Sequence, residues 1–524
     1  MAFDLMEQPW LPVERYDGTI EHVGLRALLL QAGNLRRVAA ETPTMTASLY
    51  RLVMALAHRV YGPTDEDAWA RLWRDGLPTN SMDEYQERHL DRFDLFHPDR
   101  PFLQCPPLAS CTPSSPAKLV LERAAGNNVT LFDHTTANDE VLLEPGLAAR
   151  WLVTVHAYDP GGTKTPYRKI KSSVRGLANY FGVALVEGGT LLETLLLNMP
   201  IYRPGWEQPL ATTVRDRPAW EDNTFHNPEP EKRPALGWTD LLTWPARRIL
   251  LIPRQTENGP MVEKVVIAPG SELHQDLVDV ELMSAFRRPP RKPRQKKWEP
   301  FRAVRLDERR GVWRHTETLL LAGDEQQRRR PRTLEHIAEL VDSGVIPDDI
   351  VYTLRVFGQR LGSQAAVVQS WAEETVAAPV ALLRAQYESA GPIIGHAVDL
   401  ADKAAQALRD MEKDYAAAMS VDREPGIDLA YWARLPRSFD AFLRTLAQAF
   451  REGDPETTAV EGWADAVRKA ATLTANRWAY GSPRTGRALS QAGRTFGRFT
   501  GQLHRHINVF TAQAKQFSSQ EALT

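Results

Sequence analysis

The sequence has little of what marks a secreted, membrane-spanning or metal-dependent protein. Its 524 residues include two cysteines, Cys105 and Cys111, which are too few to staple such a chain and do not have the spacing of a zinc site. No apolar run approaches the roughly 18 residues that a membrane-spanning helix needs. The first residues lack the basic region and apolar core of a signal peptide. We therefore expect a reduced, cytoplasmic protein of two or three domains that uses no metal and no cofactor.

The common catalytic motifs are missing as well. The sequence contains no Gly-x-Ser-x-Gly, no phosphate-binding Gly-x-x-x-x-Gly-Lys-Ser/Thr and no dinucleotide-type Gly-x-Gly-x-x-Gly. His504 and His506 are two residues apart, which puts them on different faces of a helix. His89 and His97 have no third metal ligand at a suggestive spacing. We interpret these histidines as structural.

Residues 127–136 form the densest polar segment and allow two interpretations. Asp133 lies beside His134, with Asp139 and Glu140 nearby, so a metal-dependent nuclease or hydrolase site is one of them. The other is a polar loop in which Asn and Asp side chains satisfy backbone groups. The residue types alone leave both open.

Residues 286–302 are a strongly basic segment in a chain whose net charge is only −2. They carry eight basic side chains, one acid and four prolines, and the prolines disfavour a regular helix. Phe286, Trp298 and Phe301 lie among the cations, a pattern that suits a phosphate backbone and its bases. A solvated basic loop is the alternative. The cations assigned to electrostatic DNA contact here are Arg287, Arg288, Arg291, Lys292, Arg294, Lys296 and Lys297.

The pattern of apolar residues predicts an α+β fold. Asp17-Gly18 predicts a short hairpin between residues 10–13 and Ile20, and the spacing of apolar residues over 44–61 predicts a helix. Residues 100–270 alternate short apolar pieces with Gly, Pro and Asn, which indicates irregular structure with long loops.

The chain becomes Ala-rich and helix-forming after about residue 365. Short breaks between long amphipathic segments predict an antiparallel bundle. The segments are 367–388, 392–419, 436–452, 455–479 and 486–514. We therefore expect a large mixed α/β N-terminal domain with long loops over residues 1–375, followed by a C-terminal antiparallel four-helix bundle over residues 376–524.

The last predicted helix has a cationic stripe. Arg487, Arg494, Arg498 and Arg505 lie within about 20° of one line, roughly opposite an apolar face that we predict to contain Leu489, Phe496, Leu503 and Ile507. Residues 466–520 carry nine Lys or Arg and no Asp or Glu, whereas solvated helix faces usually mix signs. The stripe favours a polyanionic partner. Gly493, Gly497 and Gly501 would leave room for close approach of a backbone or a phosphate.

Taken together, these features resemble the CasA-type large subunit of the type I-E CRISPR surveillance complex, Cascade. The likeness covers essentially the whole chain. It rests on an ordered set of features: residues 10–13, 100–104, 127–134 and 159–162, and the helical C-terminal third. The resemblance implies a non-catalytic protein that recognises the protospacer-adjacent motif (PAM) of invading double-stranded DNA, helps to open the duplex for guide pairing and R-loop formation, and supports recruitment of the helicase-nuclease. The partners it implies are target DNA, the guide RNA, the other Cascade subunits and that effector.

The resemblance also implies roles for particular residues. Phe132 and His134 match the loop at the 5′ handle of the guide RNA. Gly161 and Gly162 match a glycine loop that approaches the PAM from the minor groove, and Thr163 stands where a relative has a third glycine, which would stiffen the loop. Lys264 matches a minor-groove lysine. Ser363, Gln364 and Ala365 match a hairpin tripeptide whose glutamine acts as a wedge beside the PAM. Some relatives carry a cysteine cluster, and its absence here argues against bound zinc.

Overall fold

The computed structural model describes most of the chain. The described residues are 2–122, 141–201, 215–222, 224–289, 298–306, 311–322, 326–362, 367–384, 386–387, 389–422, 426–481 and 485–521. Within these ranges, no helix is both long and apolar enough to cross a membrane. The fold is mixed α/β with a helical C-terminal region, which confirms the predicted fold class.

The three longest helices lie in the C-terminal part of the chain. The helices are α1 Leu25–Leu30, α2 Pro43–Tyr61, α3 Glu66–Asp75, α4 Thr79–Arg88, α5 Pro145–Tyr158, α6 Leu191–Leu197, α7 Trp238–Leu242, α8 Leu277–Val280, α9 Thr316–Leu320, α10 Arg332–Asp342, α11 Ala390–Met419, α12 Leu429–Trp432, α13 Pro436–Glu452, α14 Thr457–Gly481 and α15 Gly486–Glu521.

The strands form several small sheets rather than one large one. They are β1 Leu11–Glu14, β2 Ile20–Val23, β3 Arg37–Val38, β4 Gly162–Tyr167, β5 Ile170–Ser173, β6 Val183–Glu187, β7 Lys232–Arg233, β8 Arg247–Thr256, β9 Gly259–Pro269, β10 Glu272–Leu273, β11 Phe286–Arg287, β12 Arg302–Ala303, β13 Arg328–Arg329, β14 Val351–Leu361 and β15 Val368–Pro379.

The backbone contacts divide the chain into two compact units. The first consists of Met1–Arg310, Pro331–His336 and Arg355–Glu374, and the second of Gly311–Arg330, Ile337–Leu354 and Thr375–Thr524. The division into a PAM- and guide-binding domain over residues 1–375 and a bundle over residues 376–524 concerns function, and it stays a prediction.

Local signals account for the predicted N-terminal elements. β1 and β2 pair with Leu11 opposite Val23 and Glu14 opposite Ile20, which confirms the hairpin around Asp17-Gly18. The Thr42 hydroxyl accepts a hydrogen bond from the Met45 amide at 3.1 Å and caps α2, which confirms the helix predicted over 44–61.

Three two-stranded or three-stranded sheets position the candidate site. β4 and β5 form a hairpin, β8 and β9 form a long antiparallel hairpin, and β14 lies between β6 and β15. The β4–β5 hairpin packs against β9. The first and second of these sheets belong entirely to the first unit.

The second unit has an aromatic core. Trp313 lies 4.7 Å from Phe439 and 5.8 Å from Trp463, measured between ring centroids. The Trp463 indole N–H donates to the Ala397 carbonyl at 2.9 Å. Four long helices, α11, α13, α14 and α15, pack against one another around this region.

One predicted helix is wrong. Residues 368–379 form strand β15, and the helix expected over 367–388 does not form. Side chains from Val368 to Thr375 alternate between half-buried and exposed, which is the two-residue period of a strand. The Ala-rich composition suggested a helix, but pairing with β14, which is distant pairing that composition does not encode, decides the outcome.

Candidate functional site

The loop that links α5 to β4 contains the predicted PAM-reading glycines. It runs from Asp159 at the end of α5 to Gly162 at the start of β4. Gly162 has φ +109°, a conformation that side chains with a Cβ rarely adopt, so this position requires glycine for its backbone geometry. Gly162 and Thr163 are exposed, and they pair with Ser173 and Ser172.

A buried arginine, Arg247, fixes this loop by hydrogen bonds. The Arg247 side chain is fully buried, and its Nε donates to Asp159 Oδ2 at 2.5 Å. Its Nη2 donates to the carbonyls of Pro160 at 3.1 Å and Val174 at 2.8 Å. A single guanidinium therefore binds both ends of the segment that contains the glycines. Because these charge-assisted bonds are shielded from water, they fix the loop more firmly than surface contacts would.

Lys164 completes the charge cluster under the loop. Its Nζ lies 2.7 Å from Asp159 Oδ2, the same oxygen that accepts from Arg247. Burial lowers the pKa of Lys164, and the neighbouring Asp159 carboxylate opposes that shift. Lys164 is thus a half-buried residue whose charge is directed to Asp159 and supports the loop.

Lys264 is exposed to solvent, unlike Lys164. It lies on β9 opposite Ile252, where the register of the β8–β9 hairpin shifts, and it is exposed between buried Val262 and Val265. Since β4 packs against β9, the predicted minor-groove glycines and the predicted minor-groove lysine lie on two elements that contact each other.

The hairpin of β14 and β15 is tied to the same loop by hydrogen bonds. Gln359 of β14 donates from Nε2 to the Tyr158 carbonyl at 2.9 Å and to Asn179 Oδ1 at 3.0 Å. Asn179 Nδ2 in turn donates to the carbonyls of Tyr158 at 2.9 Å and Asp159 at 3.3 Å. We call Gln359, Asn179, Asp159 and Arg247 the loop hub. It connects the glycine loop, the start of β8 and the strand that leads to residues 363–365.

An ion-pair network anchors the hairpin closer to its base. Arg355 Nη1 lies 2.5 Å from Glu187 Oε2 on β6, and Arg355 Nε lies 2.8 Å from Glu373 Oε1 on β15. Arg355 and Glu187 are almost fully buried, with side-chain exposures of 6% and 5%. Arg355 on β14 therefore joins this strand to β6 on one side and to β15 on the other.

Several predicted residues lie outside the described parts of the chain. These are Phe132, Asp133 and His134 of the polar loop, Ser363, Gln364 and Ala365 of the hairpin tip, and Arg291, Lys292, Arg294, Lys296 and Lys297 of the basic segment. Their predicted roles stay predictions.

The described ends of the basic segment form a hairpin base. Phe286 pairs with Ala303 and Arg287 with Arg302. The Arg288 guanidinium lies 4.1 Å from the centroid of the Phe301 ring, so the interleaved aromatics predicted from the sequence make a cation–π contact.

The cationic stripe of α15 is only partly available to a ligand. Arg498 forms an ion pair with Asp414 at 2.5 Å, and Arg487 donates to the Ala418 carbonyl at 3.2 Å. Arg494 and Arg505 are exposed. The positive charge that a ligand can reach is therefore greatest at Arg494 and Arg505.

The apolar face predicted for α15 needs correction. Leu503 and Ile507 are buried as expected, but Leu489 is 51% exposed and Phe496 only partly buried. The buried row of the helix is instead Ala488, Ala492, Thr495, Phe499, Leu503, Ile507, Phe510 and Ala514. Small residues occupy the N-terminal core positions, and a search for large apolar side chains misses them.

His89 and His97, which the sequence led us to interpret as structural, contact other residues of the protein. His97 Nδ1 accepts from the amides of Asp99 at 3.2 Å and Arg100 at 3.0 Å. His89 Nε2 lies 3.8 Å from Glu221. Among the described residues, no group of three His, Cys, Asp or Glu side chains could hold a metal ion.

The sequence interpretation missed the loop hub and one basic hairpin. Nothing local marks Arg247, Asn179 or Gln359, because their partners are distant in the chain. Residues 162–175, which contain the β4–β5 hairpin, did carry a signal, since they include five basic side chains and no acid.

The comparisons with known proteins agree with the resemblance in the sequence. Residues 4–474 match the family described as CRISPR-associated protein Cse1. The chain is 30% identical to the CRISPR-associated protein CasA/Cse1 of Thermus thermophilus, over 97% of this chain and 99% of that protein. It superimposes on the crystal structure of Thermobifida fusca Cse1 with a TM-score of 0.82 and 29% identity, covering 97% and 98% of the two chains. A chain of a CRISPR RNA-guided surveillance complex shares the fold, with a TM-score of 0.73, 22% identity and coverage of 95% and 99%.

Proposed function

Because the chain belongs to the CRISPR-associated Cse1 family, we propose that it is the non-catalytic large subunit of a type I-E RNA-guided surveillance complex. In that role it recognises the PAM of double-stranded DNA through the minor groove, helps to unwind the duplex for R-loop formation, and supports recruitment of the helicase-nuclease. Its other partners are the guide RNA, whose 5′ handle Phe132 and His134 contact, and the remaining Cascade subunits.

One observation carries this proposal. The glycine loop and Lys264 lie on contacting elements of one unit, and the loop hub ties the glycine loop to β14, the strand that leads to Gln364. The glycine loop, β9 and β14 are distant from one another in the sequence, and they meet in one structural neighbourhood. This arrangement suits a protein that reads a short stretch of duplex with a few residues and separates the strands next to it.

The proposed recognition of the PAM discriminates only weakly between base pairs, because it uses the minor groove. The minor groove presents acceptors at every base pair and distinguishes mainly A·T from G·C. A lysine such as Lys264 donates to those acceptors, and an exposed glycine loop can enter the narrow groove. The proposed wedge, Gln364, then offsets part of the unstacking free energy, which costs a few kcal/mol per base step.

A PAM library tests the reading step. The reconstituted complex is expected to bind a subset of sequences, and Lys264→Ala should lower affinity for that subset and relax its discrimination. Lys232→Ala, which removes an exposed lysine of β7, is the matched control. Equal binding to all library members by the unaltered complex would contradict the proposed function.

R-loop kinetics on linear, unsupercoiled DNA test the wedge. Gln364→Ala is expected to slow R-loop formation on a fully paired duplex. On a duplex that is already mismatched at the first pair beyond the PAM, the variant should match the unaltered protein, because no pair remains to be opened. If the variant formed R-loops at the unaltered rate on the paired duplex, the wedge role would be wrong.

A further inference from the structure

The β4–β5 hairpin presents a second cationic surface that begins at the glycine loop itself. Residues 162–175 carry Lys164, Arg168, Lys169, Lys171 and Arg175 and no Asp or Glu. A solvated hairpin usually mixes charges of both signs. The neighbouring β8–β9 hairpin does so, because Arg254 there lies 3.6 Å from Glu263.

Three of these five cations have a partner within the protein. Lys164 is bound to Asp159, Arg175 stacks on Tyr180 at 4.0 Å, and Arg168 is ion-paired with Glu229, although the Arg168 side chain stays 73% exposed. Lys169 and Lys171 are exposed at the turn and at the start of β5. We therefore assign the contact with a ligand to these two lysines.

The hairpin is anchored well enough to hold those lysines in place. Tyr167 packs against a buried cluster of Cys105, Leu108, Val266 and Ala268. The register is set at both ends, with Gly162 opposite Ser173 and Tyr167 opposite Ile170.

The backbone at the turn follows from the hairpin geometry. Arg168 and Lys169 form a two-residue turn between the paired residues Tyr167 and Ile170. A tight hairpin turn of this length requires a positive φ at its first residue, and Arg168 has φ +52°.

Resting on the proposed function, we infer that Lys169 and Lys171 bind phosphates of the duplex that flanks the PAM, so that the β4–β5 hairpin follows the DNA backbone while its first residues enter the minor groove. The partner is duplex DNA because the hairpin itself contains no acid and no exposed aromatic on which an unpaired base could stack. Phosphate contacts carry no sequence information, and they set the register of the groups that read bases. The hairpin thus supplies affinity and alignment, and the adjacent glycines supply discrimination.

Salt dependence of target binding by the reconstituted complex tests this inference. Each phosphate contact contributes about 0.9 to the slope of log affinity against log salt. Lys169→Ala with Lys171→Ala should therefore reduce that slope by about 1.8. Between about 50 mM and about 200 mM salt, the affinity deficit of the double variant should shrink roughly twelvefold. Arg71→Ala with Arg74→Ala on α3 removes the same charge from another exposed surface of the same unit and should leave the slope unchanged.

The outcomes separate this inference from the proposed function. A shallower slope with an unchanged ratio of PAM to non-PAM binding supports phosphate contacts by the hairpin. An unchanged slope, or a defect in assembly of the complex instead of DNA binding, would overturn the inference, and the latter would mean that the hairpin meets a protein subunit. A complex that shows no PAM preference with either protein would contradict the proposed function itself.

Discussion

At the scale of single residues, the loop hub shows how buried polar groups can place a site they never touch. Arg247 has no exposed surface, yet its donors bind the backbone on both sides of Gly161 and Gly162. Leaving a buried charge without its partner costs several kcal/mol. The segment is therefore held in one conformation, and the glycines that it carries are positioned before any ligand arrives.

Substitution of Gln359 should separate PAM binding from R-loop formation. In Gln359→Ala, β14 loses its bonds to Tyr158 and Asn179, and we expect about 1 kcal/mol of lost stability. We also expect PAM binding to persist while R-loop formation slows, because the bonds that join β14, the strand leading to the proposed wedge Gln364, to the glycine loop are lost. Binding and R-loop rates measured on one linear target would check this. Gln86→Ala, which removes an exposed amide, is the control, and an equal loss of binding and rate in Gln359→Ala would contradict a coupling role.

His156 should make stability depend on pH. Burial lowers the pKa of His156 to about 3, below the value of about 6.5 in an unfolded chain. The unfolded state therefore binds the proton more tightly, so the stability that the neutral ring contributes is present above about pH 6.5 and is lost as pH falls toward 3. At pH 5 the loss is about 2 kcal/mol.

Urea unfolding at about pH 7 and about pH 5 would measure this effect. His156→Gln keeps a donor for the Leu103 carbonyl but does not titrate, so its stability should fall less between the two conditions, by about 2 kcal/mol. Parallel curves for the two proteins would show that the ring is protonated equally in both states. His504→Gln, on an exposed turn of α15, is the control.

At the scale of elements, signals within a short stretch of sequence predicted the hairpin and helix that form within that stretch. Asp17-Gly18 predicted the hairpin of β1 and β2, and the spacing of apolar residues over 44–61 predicted helix α2. The strand β15 and the buried face of α15 were missed because partners elsewhere in the chain select them. In α15, Ala488 and Ala492 are buried, and a search for large apolar side chains does not find such positions.

The glycine row of α15 gives a prediction about this element. A Cβ at Gly493, Gly497 or Gly501 would meet no atom of the described chain within 4 Å. Glycine in a helix interior is less stable than alanine by about 0.5–1 kcal/mol, so Gly497→Ala should stabilise the isolated protein by that amount. Gly462→Ala on α14, another open position, should give a similar gain in denaturant unfolding. Destabilisation by Gly497→Ala alone would mean that this face is already occupied in the isolated protein.

At the scale of the whole molecule, charge is distributed unevenly about a total near zero. The net charge is −2, although residues 162–175, 286–302 and 466–520 each carry a large excess of cations. The balancing acids lie elsewhere in the chain. Such a molecule attracts DNA at particular surfaces while it repels it weakly elsewhere, so orientation depends on local fields and not on total charge.

This distribution predicts different behaviour for the isolated chain and the assembled complex. Alone, the chain should bind duplex DNA non-specifically, with a Kd of about 10⁻⁴ to 10⁻⁶ M at physiological salt. The proposed minor-groove contacts involve few residues, so we expect them to add little discrimination until guide pairing makes opening of the duplex favourable. Electrophoretic shifts of the isolated chain and of the complex, on targets with and without a PAM, would measure both affinities. We expect the ratio of the affinities for targets with and without a PAM to be near one for the isolated chain and large for the complex.

Metal-dependent cleavage by the isolated chain that His134→Ala abolishes would contradict the proposed role, because a binding subunit has no turnover of its own.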